Sequence, residues 1–154
     1  MPNLKQHSKR IRLSLAWFDS VKSTDPKVFI NPLTNEYFYC ALHMFEACAV
    51  AFPSSFSKAH FLSHTDRNVE IEKIRVAPFH QLNSIASAYL ALFDLSKRAR
   101  YLQISERYPV APLRSEDLKT ARDSFAQVKA AVEKFFLDVY AEKTAPWLAR
   151  PDAD

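Results

Sequence analysis

The sequence predicts an all-α fold, a bundle of four or five helices, and three observations lead to this prediction. The 154-residue chain contains no glycine, on which hairpin turns and most sheet-rich folds rely. Apolar residues recur at three- and four-residue steps along several segments, which is the period of an amphipathic helix. Prolines and helix-capping residues separate these segments. The length and the 48% hydrophobic content indicate one folded domain.

Each helix is predicted from its apolar period and from the residues at its ends. The second helix is predicted to begin at an Asn-Pro pair, with Asn31 as its cap. It is apolar on most sides, which predicts a central position in the bundle. The third begins at Ser63, a favourable cap. Residues 1–143 are expected to form the domain, and the prolines that follow predict a loosely ordered tail over residues 144–154. The five predicted helices cover residues 5–21, 31–53, 63–74, 79–101 and 115–141.

The net charge of +4 is unevenly distributed, with +4 over residues 1–30 and +3 over residues 57–101. This bias permits contact with an anionic partner but is weaker than the dense basic arrays of dedicated nucleic-acid binders. No apolar run approaches the ~20 residues that span a bilayer, and the basic amino terminus does not resemble a secretion signal. The sequence therefore predicts a cytoplasmic protein that does not enter membranes.

The two cysteines, Cys40 and Cys48, lie in one predicted helix. Their separation of more than two turns is too long for a disulfide, so both are expected to be reduced core thiols. No further cysteine stands at the spacing of a zinc site.

Three short motifs, spread over the predicted helices, suggest a family. They are Tyr-Phe-Tyr-Cys-Ala-Leu-His over residues 37–43, Ser-His-Thr-Asp-Arg-Asn over 63–68, and Ala-Arg-Tyr over 99–101. Over about residues 31–140 this arrangement resembles the small stand-alone HEPN-domain proteins of bacteria. The resemblance implies an antiparallel helical bundle that often dimerises. It also implies that catalytic members are metal-independent endoribonucleases, built on an arginine followed about four to six residues later by a histidine.

Arg75 and His80 form the one literal match to that catalytic pattern. The histidine could move a proton at a ribose hydroxyl or a leaving oxygen, and the arginine could neutralise the phosphorane. Val76 stands where the active family usually has a polar residue, and Pro78 falls between the pair. Catalysis and an accidental spacing both remain open for these two residues.

A second polar constellation gathers near the start of the third helix. His64, Arg67 and Asn68 fall within about one turn of that start, and Arg100 with Tyr101 closes the fourth helix. A helix amino terminus attracts anions, so these five residues are candidates for binding nucleic acid or another anion. The structural alternative is that they cap helices, pair with carboxylates and pack against neighbours.

The remaining histidines do not predict a metal site. His60 and His64 have a chelating spacing, but the segment is predicted to be a loop and lacks a third ligand. His43, within the apolar second helix, is expected to be a hydrogen-bonded core or interface residue. No metal or cofactor is predicted.

Two functions follow from these observations. The preferred one is a non-catalytic, HEPN-like binding or assembly module, associated with nucleic-acid processing or bacterial defence. Its partner would be RNA, a second copy of the chain or another protein. The alternative is a metal-independent endoribonuclease of the toxin or phage-defence type, acting as a dimer through Arg75 and His80.

Overall fold

A computed structural model describes residues 2–101, 112–139 and 145–148, apart from the side chains of residues 26, 27 and 101. All regular structure in these ranges is helical, which confirms the all-α prediction. No helix within them is long and apolar enough to cross a membrane. The five α-helices are α1 (Leu4–Val21), α2 (Ile30–Ala51), α3 (His64–Val76), α4 (Ala86–Tyr101) and α5 (Ser115–Val139).

Helix α2 lies at the centre of the bundle, as its apolar composition predicts, and packs against α1, α4 and α5. Contacts near both ends of each pair define the helix directions. His7 and Ser14 of α1 contact His43 and Glu36 of α2, so these two helices are antiparallel. The pairs Phe38–Phe93 and Phe45–Tyr89 show that α2 and α4 are antiparallel as well. The pairs Tyr37–Phe125 and Phe52–Phe135 show that α5 runs in the same direction as α2.

Local sequence signals account for two of the helix starts. Asn3 and Gln6 form a capping box at α1, in which each side chain accepts a hydrogen bond from the other residue's backbone. The Ser63 hydroxyl accepts a 3.1 Å hydrogen bond from the Asp66 amide, as expected for the cap of α3. Helix α2 begins without a side-chain cap after Phe29, so the predicted Asn cap is wrong there.

Helix α4 begins at Ala86 rather than at residue 79, where the sequence placed it. The Asn83 side-chain amide nitrogen, with two protons to donate, lies 3.2, 2.7 and 3.3 Å from the carbonyl oxygens of Ile74, Arg75 and Ala77. The shortest contact pairs the Arg75 carbonyl at the end of α3, while the Ile74 and Ala77 carbonyls also accept hydrogen bonds from the backbone amides of Ala77 and His80; together these bonds hold the residues after α3 in a turn. The apolar period therefore continued through residues 79–85, which are not α-helical and end in a short 3-10 helix over Asn83–Ile85.

The inner face of α1 is more polar than the sequence suggested. His7, Ser8 and Ser14 are buried there beside Ile11. The Ser8 hydroxyl donates to the Leu4 carbonyl one turn earlier, and the Ser14 hydroxyl shares its one proton between the Arg10 carbonyl and Glu36 of α2. His7 and Ser14 also contact side chains of α2, so α1 brings polar groups to the centre of the bundle.

The predicted tail over residues 144–154 and the predicted loop over residues 103–114 fall mostly outside the described residues. Within the tail, Trp147 is buried, and its ring centroid lies 5.2 Å from that of Phe136. Its indole nitrogen donates to the Glu133 carboxylate at 3.2 Å. Residues 145–148 thus pack against α5.

Candidate functional site

A row of polar side chains follows one side of the otherwise apolar helix α2. The spacing of three or four residues places its members on one helical face. Helix α1 covers this row, and the Ser14 hydroxyl donates to its first member, Glu36. The α2 polar row consists of Glu36, Tyr39, His43 and Glu46.

Two histidines and one carboxylate meet at the end of this row. The Nδ1 atoms of His7 and His43 are 3.2 Å apart. The Glu46 Oε2 atom lies 3.6 Å from the first of them and 3.9 Å from the second. Among the described residues, this His–His–Glu cluster is the set whose ligand atoms all lie within 4.8 Å of one another, and its donors could therefore hold a metal ion.

Both imidazoles in the cluster are neutral at pH 7. Burial lowers the pKa of His7 and of His43 to about 4, and nearby cationic groups act in the same direction. With the rings neutral, one Nδ1–H donates to the Nδ1 lone pair of the other ring. The ring of His7 is also hydrogen-bonded to the backbone of Pro2. The cluster is therefore a hydrogen-bonded polar group within the bundle.

Arg67 of α3 completes the cluster from the other side of Glu46. Its Nε atom donates to Glu46 Oε1 at 2.6 Å, and the two side chains are only 14% and 10% exposed. Burial raises the pKa of Glu46, while the Arg67 guanidinium lowers it. The sequence left two roles open for Arg67, anion binding and pairing with a carboxylate; in the structure its guanidinium contacts Glu46 of the preceding helix α2.

The rest of the predicted anion-binding group lies beside this ion pair. The His64 ring packs between Phe38 and Phe93, with centroid distances of 5.5 and 5.6 Å. Burial lowers the pKa of His64, and the charges of Arg67 and Arg100 act in the same direction. Two buried polar atoms in this region, His64 Nδ1 and Asn68 Oδ1, have no hydrogen-bond partner among the described residues.

Arg100 links the end of α4 to the α2 polar row. One guanidinium nitrogen donates to the Tyr39 hydroxyl at 2.8 Å, and the group also lies 5.7 Å from the centre of that ring. Hydrogen bonds to Ser96 hold it against its own helix. The side chain of Tyr101 lies outside the described part of the structure. Four of the five residues predicted to bind an anion are thus described, and all four lie near the start of α3 or the end of α4.

The predicted catalytic pair lies elsewhere, at the turn after α3. Arg75 Nε donates to Glu72 at 2.5 Å, and both of these side chains are about half exposed. The two ring nitrogens of His80 are engaged by backbone groups: Nε2 is 2.9 Å from the Ser55 carbonyl oxygen, and Nδ1 accepts from the Leu82 amide at 3.1 Å. In this arrangement His80 has no free nitrogen to exchange a proton with RNA, and its catalytic role stays a prediction.

A cavity of about 980 Å³ opens between α1 and α2 above the His–His–Glu cluster. His7, His43 and Tyr39 line it, and Lys9 and Arg10 stand at its edge as exposed side chains. Neither Lys9 nor Arg10 forms an ion pair within the described residues. The cavity therefore combines aromatic and imidazole rings with two exposed cationic side chains and the carboxylate of Glu36.

Sequence reasoning missed His7, Glu46 and Tyr39 as site residues and assigned His43 only a structural role. The available signal was the row of polar residues at helical spacing on an apolar helix. His7 lies 36 residues from His43, so nothing in local spacing joins them.

Comparisons of this chain with protein-family models, curated proteins and solved structures found no match.

Proposed function

We propose that this chain is a HEPN-like, non-catalytic module that binds single-stranded RNA in the cavity between α1 and α2. The observation that carries the proposal is the cavity itself, with Lys9 and Arg10 at its edge. Its volume falls at the upper end of the ~300–1,000 Å³ range of ligand sites. The motif resemblance to HEPN proteins supports the same class of ligand.

The chemistry of the cavity suits a nucleotide chain. Proteins that bind single strands combine a positive groove for the phosphates with rings against which bases stack. Here α1 supplies exposed cationic groups, and α2 supplies the Tyr39 ring, which lines the cavity while Arg100 holds its hydroxyl. Phosphate contacts of this kind give affinity with little sequence preference.

Binding of a fluorescently labelled single-stranded RNA, followed by anisotropy in EDTA, tests this proposal. The double variant Lys9→Ala/Arg10→Ala should bind at least tenfold more weakly than the wild type and show a shallower salt dependence, because each lost phosphate contact reduces the salt slope. The matched control is Lys119→Ala/Arg122→Ala, which removes the same charge from exposed positions on α5. Absence of RNA binding, or equal weakening by both variants, would reject the proposal.

The same RNA, run on a denaturing gel after incubation, tests the endoribonuclease alternative. Cleavage that persists in EDTA and disappears in both Arg75→Ala and His80→Ala would support that alternative over a binding module. An intact strand that nevertheless binds to the protein would support the module.

A further inference from the structure

We propose that His7, His43 and Glu46 form a binding site for one Zn²⁺ ion between α1 and α2. This inference goes beyond RNA binding and does not rest on it. The three donor atoms come from two different helices, so the bundle fold creates the site. The donor set of two imidazole nitrogens and one carboxylate oxygen is one that zinc prefers, and it leaves a fourth coordination position open.

The distances within the cluster fit this ion. The three donor atoms form a triangle with sides of 3.2, 3.6 and 3.9 Å. The point equidistant from its corners lies about 2.1 Å from each atom, which matches the ~2.0–2.2 Å of Zn–N and Zn–O bonds. A zinc ion near this point would reach all three ligands without a shift of either helix.

The groups around the triangle are those that orient metal ligands. Arg67 occupies Oε1 of Glu46 and leaves Oε2 directed at the two histidines. A hydrogen bond to the backbone of Pro2 fixes the ring of His7. Outer partners of this kind set the tautomer and orientation of ligating histidines and carboxylates. The guanidinium charge opposes the ion, and the single negative charge of Glu46, which is shared between Arg67 and the ion, offsets only part of the total positive charge.

Zinc binding would replace the hydrogen bond between the two imidazoles. Both Nδ1 lone pairs must face the ion, so the ring that donates its Nδ1–H has to carry that proton on Nε2 instead. No proton leaves the pair in this change of tautomer. Since both rings also line the cavity, the open coordination position would face it and accept water or an oxyanion.

Metal titration of the full chain, stripped with EDTA and free of RNA, tests this site. Co²⁺ should bind at one ion per chain and give the visible absorption bands of a low-coordinate ion, and Zn²⁺ should displace it. His43→Gln and Glu46→Gln should each weaken binding tenfold or more. His80→Gln is the matched control, because it removes a hydrogen-bonded histidine remote from the cluster. No binding by the wild type, or equal binding by all four proteins, would overturn the proposal.

X-ray absorption of the zinc-loaded wild type keeps the test decisive if a variant fails to fold. Two imidazole ligands and one or more oxygen ligands at ~2.0–2.2 Å are expected. Fewer than two imidazoles would place the ion elsewhere and overturn the site. Neither metal measurement involves RNA, and the anisotropy assay contains EDTA, so failure of one proposal leaves the other standing.

Discussion

The ion pair between Arg67 and Glu46 is nearly withdrawn from water, while the pair between Arg75 and Glu72 is about half exposed. Their distances are almost equal, at 2.6 and 2.5 Å. Distance therefore does not distinguish them, and burial does. A buried charge that loses its partner cannot be compensated by solvent, whereas an exposed charge can.

Arg67→Ala should lower the free energy of unfolding by about 3 kcal/mol, because it leaves Glu46 buried without its cation. Part of this loss should be recovered in Arg67→Ala/Glu46→Gln, in which the remaining group is neutral. Arg75→Ala is the matched control and should change stability by less than about 0.5 kcal/mol. Urea unfolding in EDTA measures all three, and equal effects of the two single substitutions would contradict the role of burial.

Individual site residues were only partly predictable from sequence. Arg67 was recognised as a residue that binds a carboxylate or an anion, but its partner Glu46 was not, because the pair joins helices that the sequence cannot orient. His80 matched a catalytic spacing, yet its ring is held by two backbone groups that only the folded turn brings within reach. Local spacing finds candidates, and tertiary packing decides their partners.

At the scale of elements, the turn between α3 and α4 depends on one amide side chain. The Asn83 amide nitrogen contacts three carbonyl oxygens at the end of α3. Asn83→Ala should lower the free energy of unfolding by about 1 kcal/mol, the net contribution of a typical hydrogen bond, because the turn loses its side-chain bond to the Arg75 carbonyl. Gln81→Ala is the matched control, because it removes an exposed amide from the same turn and should have little effect. Thermal unfolding by circular dichroism compares them, and equal melting temperatures would contradict the bonding role of Asn83.

The α4–α5 connection is held by a bidentate ion pair. Arg98 donates to both carboxylate oxygens of Asp117, at 2.9 and 3.1 Å. The Arg114 amide adds a 2.9 Å hydrogen bond to the same carboxylate. The hydrogen bond from Arg98 is the main cause that lowers the pKa of Asp117, and the Arg114 amide acts in the same direction.

Asp117→Asn should therefore destabilise the protein by about 1 kcal/mol at pH 7. A carboxyl whose pKa is lower in the folded state stabilises the fold above its unfolded pKa of about 3.9, and this contribution is lost as the pH falls through the folded value. The difference between wild type and variant should shrink in acid. Urea unfolding at pH 7 and pH 3 measures it, and a difference that is independent of pH would contradict the ionic origin.

The helices themselves were mostly predictable, since apolar period and capping residues are local properties of the sequence. The start of α3 at the Ser63 cap and the end of α1 at Val21 agree with the structure. The predicted start of α4 at residue 79 was wrong because the apolar period extends into residues that Asn83 and His80 hold in a turn. Side-chain to backbone bonds of this kind compete with helix formation, and the period alone does not reveal them.

At the scale of the whole molecule, α2 joins the other elements into one core. It packs against α1, α4 and α5, and its pairing with α1 also creates the cavity and the His–His–Glu cluster. Stability and the proposed sites therefore depend on the same packing. The sequence predicted the central position of α2 from the apolar residues on most of its sides, but it did not predict the α2 polar row.

Leu92→Ala on α4 tests whether this core behaves as one unit. Leu92 is fully buried, whereas Leu137 on α5 is 52% exposed. Removing the Leu92 side chain should lower the free energy of unfolding by about 2–5 kcal/mol, through lost burial and the cavity left behind. Leu137→Ala, the matched control, should cost less than about 0.5 kcal/mol. Because a single core should unfold in one transition, fluorescence and circular dichroism should report coincident urea curves for the variant. Separate transitions, or equal losses for the two leucines, would show that α4 does not share one core with α2.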